Sequence, residues 1–154
     1  MSQTSSDDEP IVRFQRLANN PDLPLPARAT PHAAGYDVRA AEAVKIVPGQ
    51  IALVPTGLVM ELPEGVECQV RPRSGLALKH GVTLPNSPGT IDPDYRGELR
   101  IVVQNLGSDP VCFERGERIA QLVFARFERP RLEEVARVRG GTRREGGFGS
   151  TGRG

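Results

Sequence analysis

Proline and glycine punctuate this chain so densely that no architecture of long helices can be drawn through it. Gly 17 and Pro 14 together make 31 of 154 residues, about a fifth. Inside a helix each costs roughly 1 to 3 kcal/mol relative to alanine, so short strands and many turns are favoured. The punctuation falls where strands would end. AVKIVPGQIALVPTGLVMELPEGVECQVRP reads as strands cut by PG, TG and PEG turns. IVRFQRL alternates Val12, Phe14 and Arg16 against Ile11, Arg13 and Gln15, a first strand. ELRIVVQNL sets Leu99, Ile101 and Val103 on one face, and the nearly continuous apolar run GERIAQLVFARF predicts a strand buried on both faces. The one helix candidate is SGLALKHG, with Ser74 near its N-cap and Gly81 just past its end. The expected fold is all-β, a jelly-roll or barrel in one domain over 11–139. It lies between a polar, disordered tail at 1–10 and a glycine-rich segment at 140–154.

Several classes drop out. A formal net charge of +1 does not suit a generic nucleic-acid coat. No apolar run approaches the roughly 18 to 20 residues of a membrane span. The start, MSQTSSDDEP, has neither a basic nor an apolar leader region, so the expected location is the cytoplasm. Cys68 and Cys112 form no CxxC pattern, and Cys68 alternates with Val66 and Val70 as a small buried hydrophobe. No glycine-lysine Walker pattern and no strand–glycine loop–long helix unit occurs, which removes P-loop and Rossmann architectures.

Five segments concentrate polar groups among turns. In AAGYDVRA, Asp37 follows glycine and tyrosine, a common setting for a turn or cap residue. In RPRSGLA, Arg73, Ser74 and the first N–H groups of a helix converge, which suits either a cap or an anion. NSPGTIDPDYRGE carries Asp92 and Asp94, either solvated or placed to orient and deprotonate a water. In GERIAQL, Gln121 interrupts an apolar strand, as structural glue or as a ligand contact. GGTRREGGFGSTGRG holds seven of the 17 glycines and one large apolar residue, Phe148. It cannot form its own core, but it carries what wrapping a phosphate chain and stacking on a base require.

Taken in order, AAGYDVRA, PRSGLA, GTIDPDYRGE, GERIAQLVF and REGGFGSTG resemble the five motifs of the trimeric dUTP pyrophosphatase (dUTPase) family, over roughly residues 11–152. The resemblance implies a jelly-roll-like β-barrel, a homotrimer with shared active sites, and hydrolysis of dUTP to dUMP and pyrophosphate with Mg²⁺. It implies that Asp92 orients and activates the attacking water, and that Tyr95 packs beneath the deoxyribose and excludes a 2′-OH. Asn86 and the backbone at Thr90, Ile91 and Arg100 would read uracil. Arg73, Ser74, Gly75 and Gln121 would serve the phosphates, and Asp37 the metal side, through water. In the arm, Arg143 would reach the γ-phosphate, Phe148 would cover uracil, and Ser150 and Thr151 would add contacts. Arg144 stands where the family commonly has glycine, which leaves the choice between Arg143 and Arg144 open. Two alternatives share the fold. One is a dCTP deaminase or bifunctional deaminase–dUTPase, for which Glu98 is the nearest candidate proton shuttle. The other is a non-catalytic nucleotide-binding homologue.

Overall fold

The computed structural model describes residues 9–141. Among them the chain forms β1 (Arg13–Arg16), β2 (Ala27–Arg28), β3 (Tyr36–Arg39), β4 (Val44–Ile46), β5 (Ile51–Glu61), β6 (Val66–Arg71), α1 (Ser74–His80), β7 (Val82–Thr83), β8 (Gly89–Ile91), β9 (Glu98–Asn105), β10 (Val111–Phe113) and β11 (Arg118–Arg126). One sheet runs β1-β5-β9-β7, a second β2-β3-β11-β6-β8, and β10 pairs with β4. Every pairing is antiparallel. The all-β expectation holds.

Alternation builds the core as the sequence predicts. Leu99, Ile101 and Val103 of β9 and Val66, Cys68 and Val70 of β6 all point inward, with Val38, Ile46, Val54 and Leu122. Burial pushes the Cys68 thiol up to about 12, so it is an inert hydrophobe. β11 departs from expectation. Ile119, Ala120 and Leu122 are buried, but Gln121, Val123 and Ala125 on the other face are only half-covered within this chain. A bulge between Arg118 and Ala120 turns both Ile119 and Ala120 inward.

The helix lies where the sequence predicts, with Ser74 beside its cap and Gly81 just past its end. Ser74 is its first residue rather than its cap. Arg73 holds the cap position with extended backbone (φ −90°, ψ 127°), and its side chain does not cap. Arg73 is anchored elsewhere, as described below. Gly81 closes the helix as expected, left-handed at φ 66°, with the backbone of Gly107 too close for any Cβ.

A second bulge, between Pro55 and Val59 of β5, is held from three sides. Asn20 Nδ2 donates to the Thr56 carbonyl at 2.8 Å, Thr56 Oγ1 to the Leu99 carbonyl at 2.6 Å, and the Gly57 N–H to Glu98 Oε1 at 3.0 Å. This fixes the start of β9 and the turn leading into it. After β11 the described chain runs on without regular structure and exposes Leu132, Val135 and Val138. No helix among the described residues is long and apolar enough to cross a membrane.

Candidate active site

Two polar places stand out, and each is built by a different part of the topology. The first is a pocket of about 560 Å³ at the open edge between the two large sheets. Its walls come from β8, β9 and the segments before them. Asn86, Thr90, Ile91, Asp92, Tyr95 and Arg100 all line it, so the structure brings together six residues that the sequence nominated. Asp92 starts a tight turn in which its carbonyl accepts the Tyr95 N–H at 3.1 Å, with Pro93 and Asp94 between them. The turn separates the two aspartates: Asp92 faces the pocket and Asp94 is not part of its wall.

Glu98, at the far end of that turn, also lines the pocket. Its carboxylate accepts from Arg100 Nε at 2.8 Å, from the Gly57 N–H at 3.0 Å and from Asn19 Nδ2 at 3.4 Å. Burial pulls this carboxyl upward, but the three hydrogen bonds and the Arg100 charge outweigh it and hold the group below the ordinary carboxylate value. With three donors on it, the carboxylate braces the start of β9.

The second place is a basic cluster around Asp37. This side chain is about 10% exposed, a buried carboxylate among arginines. Its Oδ2 accepts from Arg118 NH1 at 3.0 Å, and its Oδ1 lies 3.5 Å from Arg73 Nε and from Gln121 Nε2. Arg73 donates in addition to the Arg118 carbonyl at 3.1 Å, so its guanidinium is held before any ligand arrives. Gly35 permits the arrangement: a Cβ there would come within 3.0 Å of Gln121 Oε1. Beyond Arg73 a basic hollow of about 710 Å³ is lined by Arg39, Arg73, Arg118 and His80. Ser74 and Gly75, beside Arg73, are exposed. Arg118 is a site residue that the sequence reading passed over. It lies inside GERIAQL, but nothing in the motif says that it reaches Asp37.

Strand register keeps the two places apart within one chain. Asp37, Gln121 and Arg71 share a row across β3, β11 and β6, on the face opposite Val38, Leu122 and Val70. The pocket opens against Val70, Gly89 and Ile91, on the other face of that sheet. Ile91 pairs with Cys68, three residues along β6 from Arg71. Ordinary strand rise and spacing put Ile91 about 14 Å from Gln121 and about 17 Å from Asp37.

The dUTPase family model matches residues 22–152. This chain belongs to the dUTPase family. The deoxyuridine 5'-triphosphate nucleotidohydrolase of Mesorhizobium japonicum is 53% identical over 154 residues, covering 97% of this chain and 96% of that protein. The enzyme of the same name from Aquifex aeolicus is 56% identical over 144 residues, covering 92% and 96%. The dUTPase of Staphylococcus bacteriophage 80alpha, solved with dUpNHpp, matches with TM-score 0.83 at 28% identity, over 92% of this chain and 98% of that one. The dUTPase of S. aureus phage phi11, described with a structural Mg(II) ion, matches in fold with TM-score 0.74 at 24% identity, over 82% and 97%. In this dUTPase, Arg143, Arg144, Phe148, Ser150 and Thr151 lie outside the described residues, as does most of the tail at 1–10.

Proposed function

We propose that this chain is a dUTP diphosphatase that hydrolyses dUTP to dUMP and pyrophosphate. It would thereby limit uracil in DNA and supply dUMP for dTMP synthesis. One observation carries the reading: in a chain of the dUTPase family, a pocket of about 560 Å³ is lined by Asn86, Thr90, Ile91 and Tyr95 together with Asp92. In this reading Asn86 and the backbone at Thr90, Ile91 and Arg100 hold uracil, and the Tyr95 ring lies beneath the deoxyribose. Asp92 orients a water against the α-phosphorus and takes its proton. The new bond joins the water oxygen to the α-phosphorus. The bond from that phosphorus to the bridging oxygen breaks, and pyrophosphate leaves. Arg73, Ser74, Gly75 and Gln121 steady the phosphates, and Arg143, Phe148, Ser150 and Thr151 close over them from the arm at 140–154.

The same geometry supports an expectation for the assembly. A water on Asp92 works within hydrogen-bond reach, about 3 Å. The Arg73–Asp37–Gln121 cluster of the same chain lies on the other face of a sheet. In this reading a complete site draws Asp92 and Tyr95 from one chain and the arginine cluster from another, and a closed homotrimer would supply this in a ring. Exposed Ile51 and Leu53 of β5 and exposed Leu132, Val135 and Val138 give such neighbours apolar surface to cover.

Among the described residues no three His, Cys, Asp or Glu side chains stand together as a metal cage. That suits Mg²⁺, which keeps its waters and is held mainly by substrate phosphates. Asp37 is the acidic group on the phosphate side. Its oxygens already take Arg118, Arg73 and Gln121, so it would serve the ion through water. When bound, the ion supplies charge neutralisation to the phosphates. The Glu98 carboxylate is already held by Arg100, Gly57 and Asn19, which disfavours the deaminase alternative.

One assay tests the reading. With dUTP, dCTP or UTP and Mg²⁺, dUMP plus pyrophosphate is expected from dUTP alone. Ammonia from dCTP would mark a deaminase, and no turnover a binding protein. Asp92→Asn is expected to cost on the order of 3 kcal/mol or more in kcat while dUTP still binds. Wild-type turnover in that variant would remove Asp92 from its role.

A further inference from the structure

We propose that Gly97 is a specificity-determining residue: by lacking a side chain, it seats the Tyr95 ring in the position from which that ring excludes a 2′-OH. The proposal rests on the reading of Tyr95 as the wall beneath the sugar.

Glycines in this fold are required for two different reasons. Gly49, Gly57, Gly65, Gly81 and Gly116 have positive φ, a backbone conformation that other residues rarely adopt. Gly97 is not among them, so its backbone accepts an L-residue. What it lacks is room. A Cβ built on Gly97 would overlap the Tyr95 hydroxyl and lie 2.5 Å from Cζ and 2.9 Å from Cε2 of the same ring. All three nearest atoms belong to Tyr95. The ring therefore lies directly across the Gly97 Cα.

The same hydroxyl end of the ring is also tethered. The Tyr95 hydroxyl donates to the Glu98 carbonyl at 3.1 Å. That carbonyl cannot drift. Glu98 opens β9, pairs with Val59, and has its own carboxylate held by Gly57, Arg100 and Asn19. Tyr95 is otherwise about half exposed. Two contacts position it: the flat seat at Gly97 and the hydroxyl tether to Glu98. A methyl at 97 removes both, because the ring must lift to clear it and the hydroxyl then leaves the carbonyl. The displaced part is an exposed side chain, so the fold survives. Alanine's lower unfolded-state entropy also opposes the lost hydrogen bond, which keeps the melting temperature near wild type.

The test measures kcat/KM for dUTP and UTP in wild type, Gly97→Ala, Tyr95→Ala and the double variant. The dUTP:UTP ratio is expected to fall at least about tenfold in Gly97→Ala and in Tyr95→Ala. Adding Gly97→Ala to Tyr95→Ala should change nothing more, since the ring it displaces is gone. Ring position has its own readout. The chain has two tyrosines, Tyr36 and Tyr95, and no tryptophan. In a Tyr36→Phe background, tyrosine emission reports Tyr95 alone, and Gly97→Ala should raise its quenching by acrylamide. An unchanged ratio in Gly97→Ala, beside a relaxed one in Tyr95→Ala, overturns the proposal and leaves the reading of Tyr95 intact. An unchanged ratio in both overturns that reading, and the proposal with it. Should Gly97→Ala fail to fold, the double variant decides: if it folds, the ring was the obstacle, and if it also fails, the backbone demands the glycine and the proposal is wrong.

Discussion

Asp37→Asn separates two tasks assigned to one carboxylate, anchoring arginines and serving a metal ion through water. The side chains keep nearly the same shape, so the change is electrical. Asparagine retains one acceptor, but its amide nitrogen turns a donor toward a guanidinium that is also a donor. Breaking a fully buried ion pair costs about 3 to 5 kcal/mol, and an exposed pair contributes about 0.2 to 1. These pairs lie between the limits. Arg118 is close at 3.0 Å but 43% exposed, whereas Arg73 is only 24% exposed but more distant at 3.5 Å. About 1 kcal/mol each, or about 2 in all, is the reasonable magnitude. For a chain of this size that lowers the melting temperature by about 4 to 8 °C at fixed protein concentration.

The kinetic signature should match. Arg73 loses one of its two anchors, so KM for dUTP should rise more than kcat falls, and the Mg²⁺ concentration for half-maximal activity should rise as well, since the same carboxylate would serve the ion through water. Differential scanning calorimetry with and without ligand, beside a Mg²⁺ titration of activity, checks both. A melting temperature within about 1 °C of wild type, with a raised Mg²⁺ requirement, would refute the reasoning. Asp37 would then serve the ion and not the arginines.

Two further outcomes follow from the site. Glu98 has its folded pKa lowered from the ordinary 4.5, so its stabilisation is present above that value and lost as pH falls through the folded value; Glu98→Gln should unfold more easily near neutral pH by about 1 to 2 kcal/mol and show a shallower loss between about pH 6 and 3, read from urea midpoints. Asp92→Asn and a chain truncated after Gly140, each inactive alone, should recover about a quarter of wild-type activity when co-refolded at equal amounts, because one half times one half of the sites combine an intact Asp92 with an intact arm; no recovery in mixed trimers seen by native mass spectrometry would mean that each arm serves its own chain.

Much of this was legible in the sequence, for identifiable reasons. A strand's side chains alternate with period two, so Leu99, Ile101 and Val103, and Val66, Cys68 and Val70, announce their inward faces without any knowledge of partners. Gly81 announces a helix end because only a glycine sits readily at that left-handed position. Asn86, Thr90, Ile91, Asp92 and Tyr95 fall within ten residues, so local chain geometry alone brings them to one pocket. Ser74 stands next to the helix cap, as its sequence setting suggests, but the cap position itself goes to Arg73, whose side chain is held by Asp37 and the Arg118 carbonyl and does not cap, a tertiary arrangement that propensity does not reveal.

Arg118 shows most clearly what alternation cannot reveal. Counting back from Gln121, which shares a face with Asp37, strict period two sends Ala120 inward, Ile119 outward and Arg118 inward. A guanidinium aimed into an apolar core would be untenable, and the motif alone offers no reason to expect otherwise. The bulge between Arg118 and Ala120 resolves the conflict. The extra residue lets Ile119 and Ala120 both enter the core, and it swings Arg118 onto the outer face opposite Arg39. From there its NH1 reaches diagonally across to Asp37 on β3 at 3.0 Å. The same shift leaves the Arg118 carbonyl in place to accept from Arg73. One irregularity of register thus supplies two of the contacts that organise the cluster around Asp37, and it depends on how β3 and β11 pair, with Asp37 and Arg118 81 residues apart in sequence.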